Sequence, residues 1–565
     1  MMPSNNLIPR VYGGFRGVDF RGEEITLDRS PDALNMWKDY KETESIRTRP
    51  GTRLMFKFDD VVYGIFFYNA NGKELILIHS GTKLYELYKE DRVYDRKILH
   101  ENLNPMQSDA FVYNNIWYFK DGLNYLQYDG VELKEVEGTI PTTSIARKPA
   151  GGGKIYEDIN MLSDLRKNSF LADGTSTEYY LDAQNIDSDY RPVCHVNGAY
   201  TDKFTVDYEA GKIIFETAPE VPYTDGQDTV FIKFKKAVAG YKDRINKCTL
   251  LQVFDNRVFF SGNDEYPNMI WHCSLNDPTY CSDLDYYNEG IDNAKVKGMV
   301  AGNNALWVFK EPSQSNTTIF YHMPTIDAEY GKIYPSVHSS ITTGCVGKAI
   351  NFNDDIVFFS ERGMEGISGD VTKEQVIEHR STLIDRKLIA EKTYKDMILE
   401  EWEGYLLVFV GSKVYLADSR AIFQNEDHIE YDWFYWDLEE KVSSVKNHNG
   451  TLYIGTKRTV YTLDNTSDVE SYWTTPLDKF KYPQHLKTTN KRGCVSEATG
   501  DVSVYAKTDK TDFELIGEYK NVTDYFVSRI KRKKFKDIQL KFHSSTRFSL
   551  ETVTLECFVG GYLKR

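Results

Sequence analysis

The sequence predicts an all-β chain: a β-propeller of about six to eight blades carrying one inserted β-sandwich and a second β-sandwich at the C-terminal end. Three observations predict it. First, one short pattern returns five times between Lys247 and Asp464: CTLLQVFDNRVFFSG, GMVAGNNALWVFKE, KAINFNDDIVFFSERGMEGIS, MILEEWEGYLLVFVGSKVYLAD and VSSVKNHNGTLYIGTKRTVYTLD. Weaker copies start at Val61 and Asp109, which brings the repeats to roughly seven; units recurring every 40–50 residues are the mark of propeller blades. Second, pairs such as Asn71-Gly72, Asp121-Gly122 and Asn449-Gly450 separate alternating apolar runs. Gly and Asn tolerate the positive φ of tight hairpin turns. Third, aromatics make up 14% of the chain and long helical patterns are few, which suits large rings packed between sheets.

Taken in order, residues 1–43 read as an N-terminal arm. Ser30-Pro31-Asp32-Ala33 carries a helix start, with Ser as N-cap and Pro in the first turn, and predicts two or three turns at most. The first part of the propeller follows over 44–166. It opens on SIRTRPGTRLMFKF, where Arg47, Arg49 and Arg53 surround the Pro50-Gly51 turn. These arginines fit either a solvated strand or an edge that contacts a partner or DNA. Pro149-Ala150-Gly151-Gly152-Gly153 reads as a linker, and its Gly-Lys end fails as a phosphate loop because Ile155 stands where Ser or Thr is needed. Ile159, Leu162 and Leu165 then predict a short amphipathic helix.

Over 167–239 the rhythm changes to short, strictly alternating strands joined at Asp173-Gly174, Asn197-Gly198 and Ala210-Gly211. This is the inserted sandwich. The second part of the propeller occupies 240–480. Within it Thr372-Lys373-Glu374-Gln375 is a capping box, which predicts the main helix of the region as far as Lys392. The segment Tyr431-Asp432-Trp433-Phe434-Tyr435-Trp436-Asp437 reads as a strand buried on both faces, with carbohydrate stacking the other reading. The C-terminal sandwich spans 481–565. Its basic run, Arg529, Lys531, Arg532, Lys533, Lys534 and Lys536, serves either as a solvated, aggregation-blocking edge or as a docking patch for an acidic partner or DNA.

Composition excludes several classes. The formal charge of -15 argues against nucleic-acid binding over the whole surface, although an acidic wall lets a duplex slide past. No apolar run is long enough for a transmembrane helix and no secretory signal is seen, so synthesis and folding in a cytoplasm are expected. Seven scattered cysteines suit reduced thiols.

No catalytic constellation stands out, and neither enzymatic activity nor a cofactor or metal is expected. Gly366-Ile367-Ser368-Gly369 is one residue short of a nucleophile elbow. His272, Cys273 and Cys281 have poor zinc spacing. Asp354, Asp355, Glu400, Glu401 and Glu403 fall at turns of repeats, where Asp is favoured for local reasons.

The order of parts resembles one known family. A short arm, the Arg47-Thr48-Arg49-Pro50-Gly51 strand, propeller repeats, the inserted DGTSTEYYLD…VNGAYTDKFTVDYEAGKIIFETAPE module, EYDWFYWDL and a terminal module ending ECFVGGYLKR are similar to the tail-hub, or packaged-DNA stabilisation, proteins of short-tailed phages. These are nozzle-type β-propellers. The resemblance implies a structural protein of the virion tail, made in the host cytoplasm and assembled as a cyclic ring, a hexamer in the family. Its partners would be itself, portal and adaptor proteins, other tail proteins, and packaged DNA passing through the lumen without sequence specificity. A glycan-binding or glycan-cleaving propeller is the alternative.

Overall fold

A computed structural model describes residues 7–22, 25–40, 45–90, 93–328, 331–368, 376–425, 428–530 and 534–562. Among them the chain is all-β and of the β-propeller class, built on seven four-stranded antiparallel meanders. The first runs through Val62–Ala70, Lys73–Ser80, Lys83–Glu90 and Val93–His100, and the second begins at Asp109–Tyr113. The third to sixth begin at Leu250–Phe254, Val296–Gly302, Ala349–Phe352 and Ile398–Trp402. The seventh takes Ser444–His448, Thr451–Gly455 and Thr459–Asp464 from late in the chain and Gly51–Lys57 from its beginning.

One turn explains the repeat. The first hairpin of every meander is made by two residues that both have positive φ: Asn71-Gly72, Asn114-Asn115, Asp255-Asn256, Asn303-Asn304, Asn353-Asp354, Glu403-Gly404 and Asn449-Gly450, all between 48° and 81°. That backbone matches the twist of the flanking strands and is open mainly to Gly, Asn and Asp. Asp121-Gly122 is not such a turn, contrary to the sequence reading. Only Gly122 has positive φ, and the Asp121 carboxylate instead accepts N–H bonds from Asn104, Leu123 and Asn124 at 2.9, 2.9 and 2.6 Å.

The chain divides into two compact units, one formed by residues through Phe66, Ile78–Gly81 and the chain from Thr343 on, the other by Phe67–Leu77 and Thr82–Thr342. The second unit holds the inserted module. A six-stranded sheet (Thr142–Arg147, Lys154–Ile155, Leu165–Phe170, Val193–Val196, Ala199–Thr201, Val230–Lys235) and a three-stranded one enclose Phe170, Tyr179, Cys194, Ile213, Ile232 and Phe234. The module therefore reaches back to Thr142, and Pro149–Gly153 is a hairpin connection within it, not a linker. Gly151, Gly152 and Gly153 have φ of 102°, 88° and 100°, which only glycine adopts readily. No helix forms at Ile159, Leu162 and Leu165. Leu165 starts a strand, and Asn160 holds the turn by accepting the N–H groups of Leu162 and Cys281.

In the first unit the residues expected to form an arm are stitched into a sheet. Leu7–Gly13 pairs with Phe548–Tyr562, Ala33–Leu34 with Ser471–Thr474, and Met36–Lys38 bridges the sixth meander to Ile46–Thr48 and so to the C-terminal strands. The helix expected at Ser30 is absent because Ala33 and Leu34 are strand residues, and the Ser30 hydroxyl donates to Thr474 O at 2.7 Å. The helix expected up to Lys392 shrinks to Asp385–Leu388; Val376–His379 is a strand and the capping box itself lies outside the described residues. Tertiary pairing outweighs local helix signals of this strength. His428–Asp437 is the outermost strand of the sixth meander; Tyr431, Trp433, Phe434, Tyr435 and Trp436 are all buried, as the strand reading expects and the stacking reading does not.

Candidate functional site

The C-terminal sheet presents an apolar face to solvent. Residues directly opposite each other on antiparallel strands share a face. Val11 stands opposite Thr554, Thr554 opposite Val495, and Val495 opposite Val527, giving a row across four strands, about 14 Å at the usual strand spacing. Leu7 opposite Phe558, and Tyr525 opposite Glu497, extend it on either side. Val11, Val527 and Tyr525 are 56%, 45% and 61% exposed. The reverse face carries Tyr12, Leu555, Cys557 and Phe526, all buried, so strict alternation turns the row outward, with its ends Val11 and Val527 exposed and Thr554 and Val495 half-buried among the described residues. Leu7–Gly13 is an edge strand, and Pro9 removes one backbone donor from it.

The first residue of the basic run stands at the end of this face. Arg529 follows the strand Tyr525–Ser528 and is exposed, as is Lys534; Lys531, Arg532 and Lys533 lie outside the described residues. The N-terminal arginines divide. Arg53 is exposed on Gly51–Lys57, and Arg47 is half-buried and pairs with Asp39 at 3.8 Å. Arg49 is no contact residue, which corrects the sequence reading. It is buried and donates to Asn35 Oδ1, Pro50 O and Asp437 O at 2.9, 2.8 and 3.0 Å; burial pulls its pKa down to about 10. Its fork ties the Pro50 turn to the sixth meander.

A second feature had no signal in the sequence. A cavity of about 700 Å³ in the first unit is lined by Arg21, Arg362, Glu365, His379, Asp385 and Glu430, among others. His379 sits on Val376–His379, with Nδ1 3.0 Å from Glu365 Oε2 and Nε2 2.5 Å from Asp385 Oδ2. Burial disfavours the charged ring, but the two carboxylates outweigh it and raise its pKa to about 9. Burial likewise pushes Glu365 up, and His379 with Arg362 brings it below the ordinary value. Glu430 is pushed up by burial, and its Oε1 has no hydrogen-bond partner among the described residues. Reading 372–392 as a helix hid this arrangement, because it placed His379 on the wrong kind of element.

Asp355 binds Arg380 at 2.9 Å and accepts from the Tyr431 hydroxyl at 2.7 Å. Glu400 and Glu401 lie on the strand Ile398–Trp402, not in a turn. Gly366, in the near-miss elbow, is glycine because the Arg380 guanidinium lies where a Cβ would point. The metal reading at His272, Cys273 and Cys281 fails: the two thiols are joined as a disulfide, and burial pulls His272 down to about 4. That disulfide also corrects the expectation of seven reduced thiols; the other five cysteines are free and buried.

No protein-family description matches this sequence, and no characterised protein matches it. Solved structures do. BamB from Moraxella catarrhalis is 10% identical over 77% of this chain and 95% of its own, with a TM-score of 0.30. A glycoside hydrolase is 9% identical over 88% and 97%, TM-score 0.22, and the exo-β-1,3-galactanase of Phanerochaete chrysosporium is 10% identical over 54% and 94%, TM-score 0.21. At these scores the likeness carries no argument about ligand, partner or reaction. Two of these three structures are hydrolases, against the expectation of a chain without enzymatic activity.

Proposed function

We propose that this chain is a structural protein of a phage tail, a subunit of a cyclic ring below the portal and adaptor that retains packaged DNA and forms the conduit for its ejection. The observation that supports the reading most is the outward-facing row Val11–Thr554–Val495–Val527, exposed at both ends, beside the basic residue Arg529. Exposed apolar patches rimmed by charge are characteristic of protein interfaces. In a ring of more than two subunits each contact joins two different surfaces, so the row meets another part of the next copy. A chain of charge -15 offers acidic surface for the basic edge to meet. The same acidity suits a conduit, since phosphates repelled by a wall stay mobile. Neighbouring tail proteins and the virion tail as location belong to this reading.

Sedimentation of the full-length protein tests it. Wild type is expected to form a discrete closed oligomer, six-fold by the family resemblance, and Val11→Glu with Val527→Glu to reduce it to monomers of unchanged fold. A wild-type protein that remains monomeric at tens of micromolar contradicts the assembly.

One observation favours a second reading, a glycan-cleaving propeller. Glu430, a carboxyl with a raised pKa, lines the same cavity as the Glu365–His379–Asp385 cluster, and glycoside cleavage needs one protonated and one ionised carboxyl. Hydrolysis of a polysaccharide panel that Glu430→Gln abolishes would establish this reading in place of the first.

A further inference from the structure

The inserted module carries a face that sets lysines beside exposed rings. On its six-stranded sheet Lys167 stands directly opposite Lys233, and Lys233 opposite Val193. Two residues along, Phe231 stands opposite His195, and His195 opposite Tyr200. All of these side chains point away from the module's core, whose residues Phe170, Cys194, Ile232 and Phe234 alternate with them. Phe231 and Tyr200 are 45% and 64% exposed, and His195 packs edge-on against Tyr200 at 6.0 Å.

The lysine pair has no structural benefit of its own. Like charges directly opposite on neighbouring strands are destabilising, and neither amine has an ion-pair partner among the described residues. The next lysine along, Lys235, is by contrast neutralised by Asp189 at 2.5 Å. Two unneutralised amines next to a row of three rings match a polymer that alternates anionic groups with flat faces.

We infer that this face binds single-stranded nucleic acid, with phosphates on Lys167 and Lys233 and unpaired bases stacked on Phe231, His195 and Tyr200. Stacking of this kind needs bases freed from a duplex, since a paired base offers no face to a flat sheet. A sugar polymer is disfavoured because neither row supplies a carboxylate or amide for ring hydroxyls. Asp228 is turned toward the neighbouring strands, where it accepts from the Ser169 hydroxyl and the Ala146 N–H. Because the face belongs to the inserted module, this inference stands whether or not the tail-ring reading does.

Fluorescence anisotropy with a labelled oligothymidylate of about 12 nucleotides and full-length protein tests it. Phe231→Ala with Tyr200→Ala is expected to weaken binding at least about tenfold. Lys167→Gln with Lys233→Gln is expected to reduce the salt slope of log K by about 1.4, the value for two phosphate contacts on a single strand. All four positions are partly or well exposed, so thermal unfolding should be unchanged in both variants. Absence of binding, binding that neither double variant weakens, equal affinity for a duplex of the same length, or tighter binding of a heparin-derived oligosaccharide would overturn the inference.

Discussion

The Tyr12 hydroxyl donates to Asp478 Oδ2 at 2.9 Å, joining residues 466 positions apart in the chain. Arg10 Nε reaches the same oxygen at 3.0 Å and the Phe480 N–H reaches Oδ1 at 2.5 Å, so one buried carboxylate fastens the edge strand Leu7–Gly13. Tyr12→Phe is expected to cost about 1.5–3 kcal/mol, the worth of a bond to a charged group. Asp478→Ala strands three donors and should cost about 3 kcal/mol or more. Amide exchange across Leu7–Gly13, faster in both variants and fastest in Asp478→Ala, checks this; unchanged protection would show that strand pairing alone holds the edge.

The two arginines around the Pro50 turn should behave oppositely. Arg49→Ala removes bonds to two backbone carbonyls and the Asn35 amide in a buried site, and is expected to destabilise the protein by about 2–4 kcal/mol. Arg53→Ala changes an exposed strand position and should stay within about 0.5 kcal/mol. Chemical denaturation of both variants separates a structural arginine from a surface one.

The His379 cluster predicts a pH dependence. The folded-state pKa is about 9 against an ordinary 6.5, so its stabilisation is fully present below about pH 6.5 and lost as pH rises through about 9. Glu365, held below its ordinary value, contributes with the opposite sign: its share is present above the ordinary carboxylate range and lost on acidification. His379→Gln should therefore cost about 2 kcal/mol near pH 6, progressively less as pH rises from about 6.5 to about 9, and little of that above. A cost that does not change between these limits would mean that the ring is held by packing and not by charge.

Glu403 is the one long side chain among the fourteen hairpin positions of the seven meanders, at φ 52° beside Gly404. Glu403→Asn should stabilise the protein by about 0.5–1 kcal/mol, since Asn accepts the left-handed region more readily. The unfolding midpoint of this single variant is sufficient to show it.

Much of the fold was readable because it rests on local chemistry that repeats. Five of the seven first-hairpin turns are Asn-Gly, Asn-Asn or Asp-Asn pairs, which favour positive φ, and their recurrence between apolar runs announces blades. What was not readable depends on pairing at long range. Ala33 and Leu34 have a helix signal before them but a strand partner more than 400 residues later. His379 follows a capping box yet forms a strand. Arg49 looks like Arg53 in sequence, and only the depth of the Pro50 turn distinguishes them. The apolar row of the C-terminal sheet likewise exists only after Leu7–Gly13 takes its place beside Phe548–Tyr562.

The most direct test of the tail-ring account is the copy number of this chain in purified particles from its source, by quantitative mass spectrometry against the major capsid protein. The account predicts about six or twelve copies per particle, the stoichiometry of an axial ring. Absence from particles, or hundreds of copies in each, would contradict it.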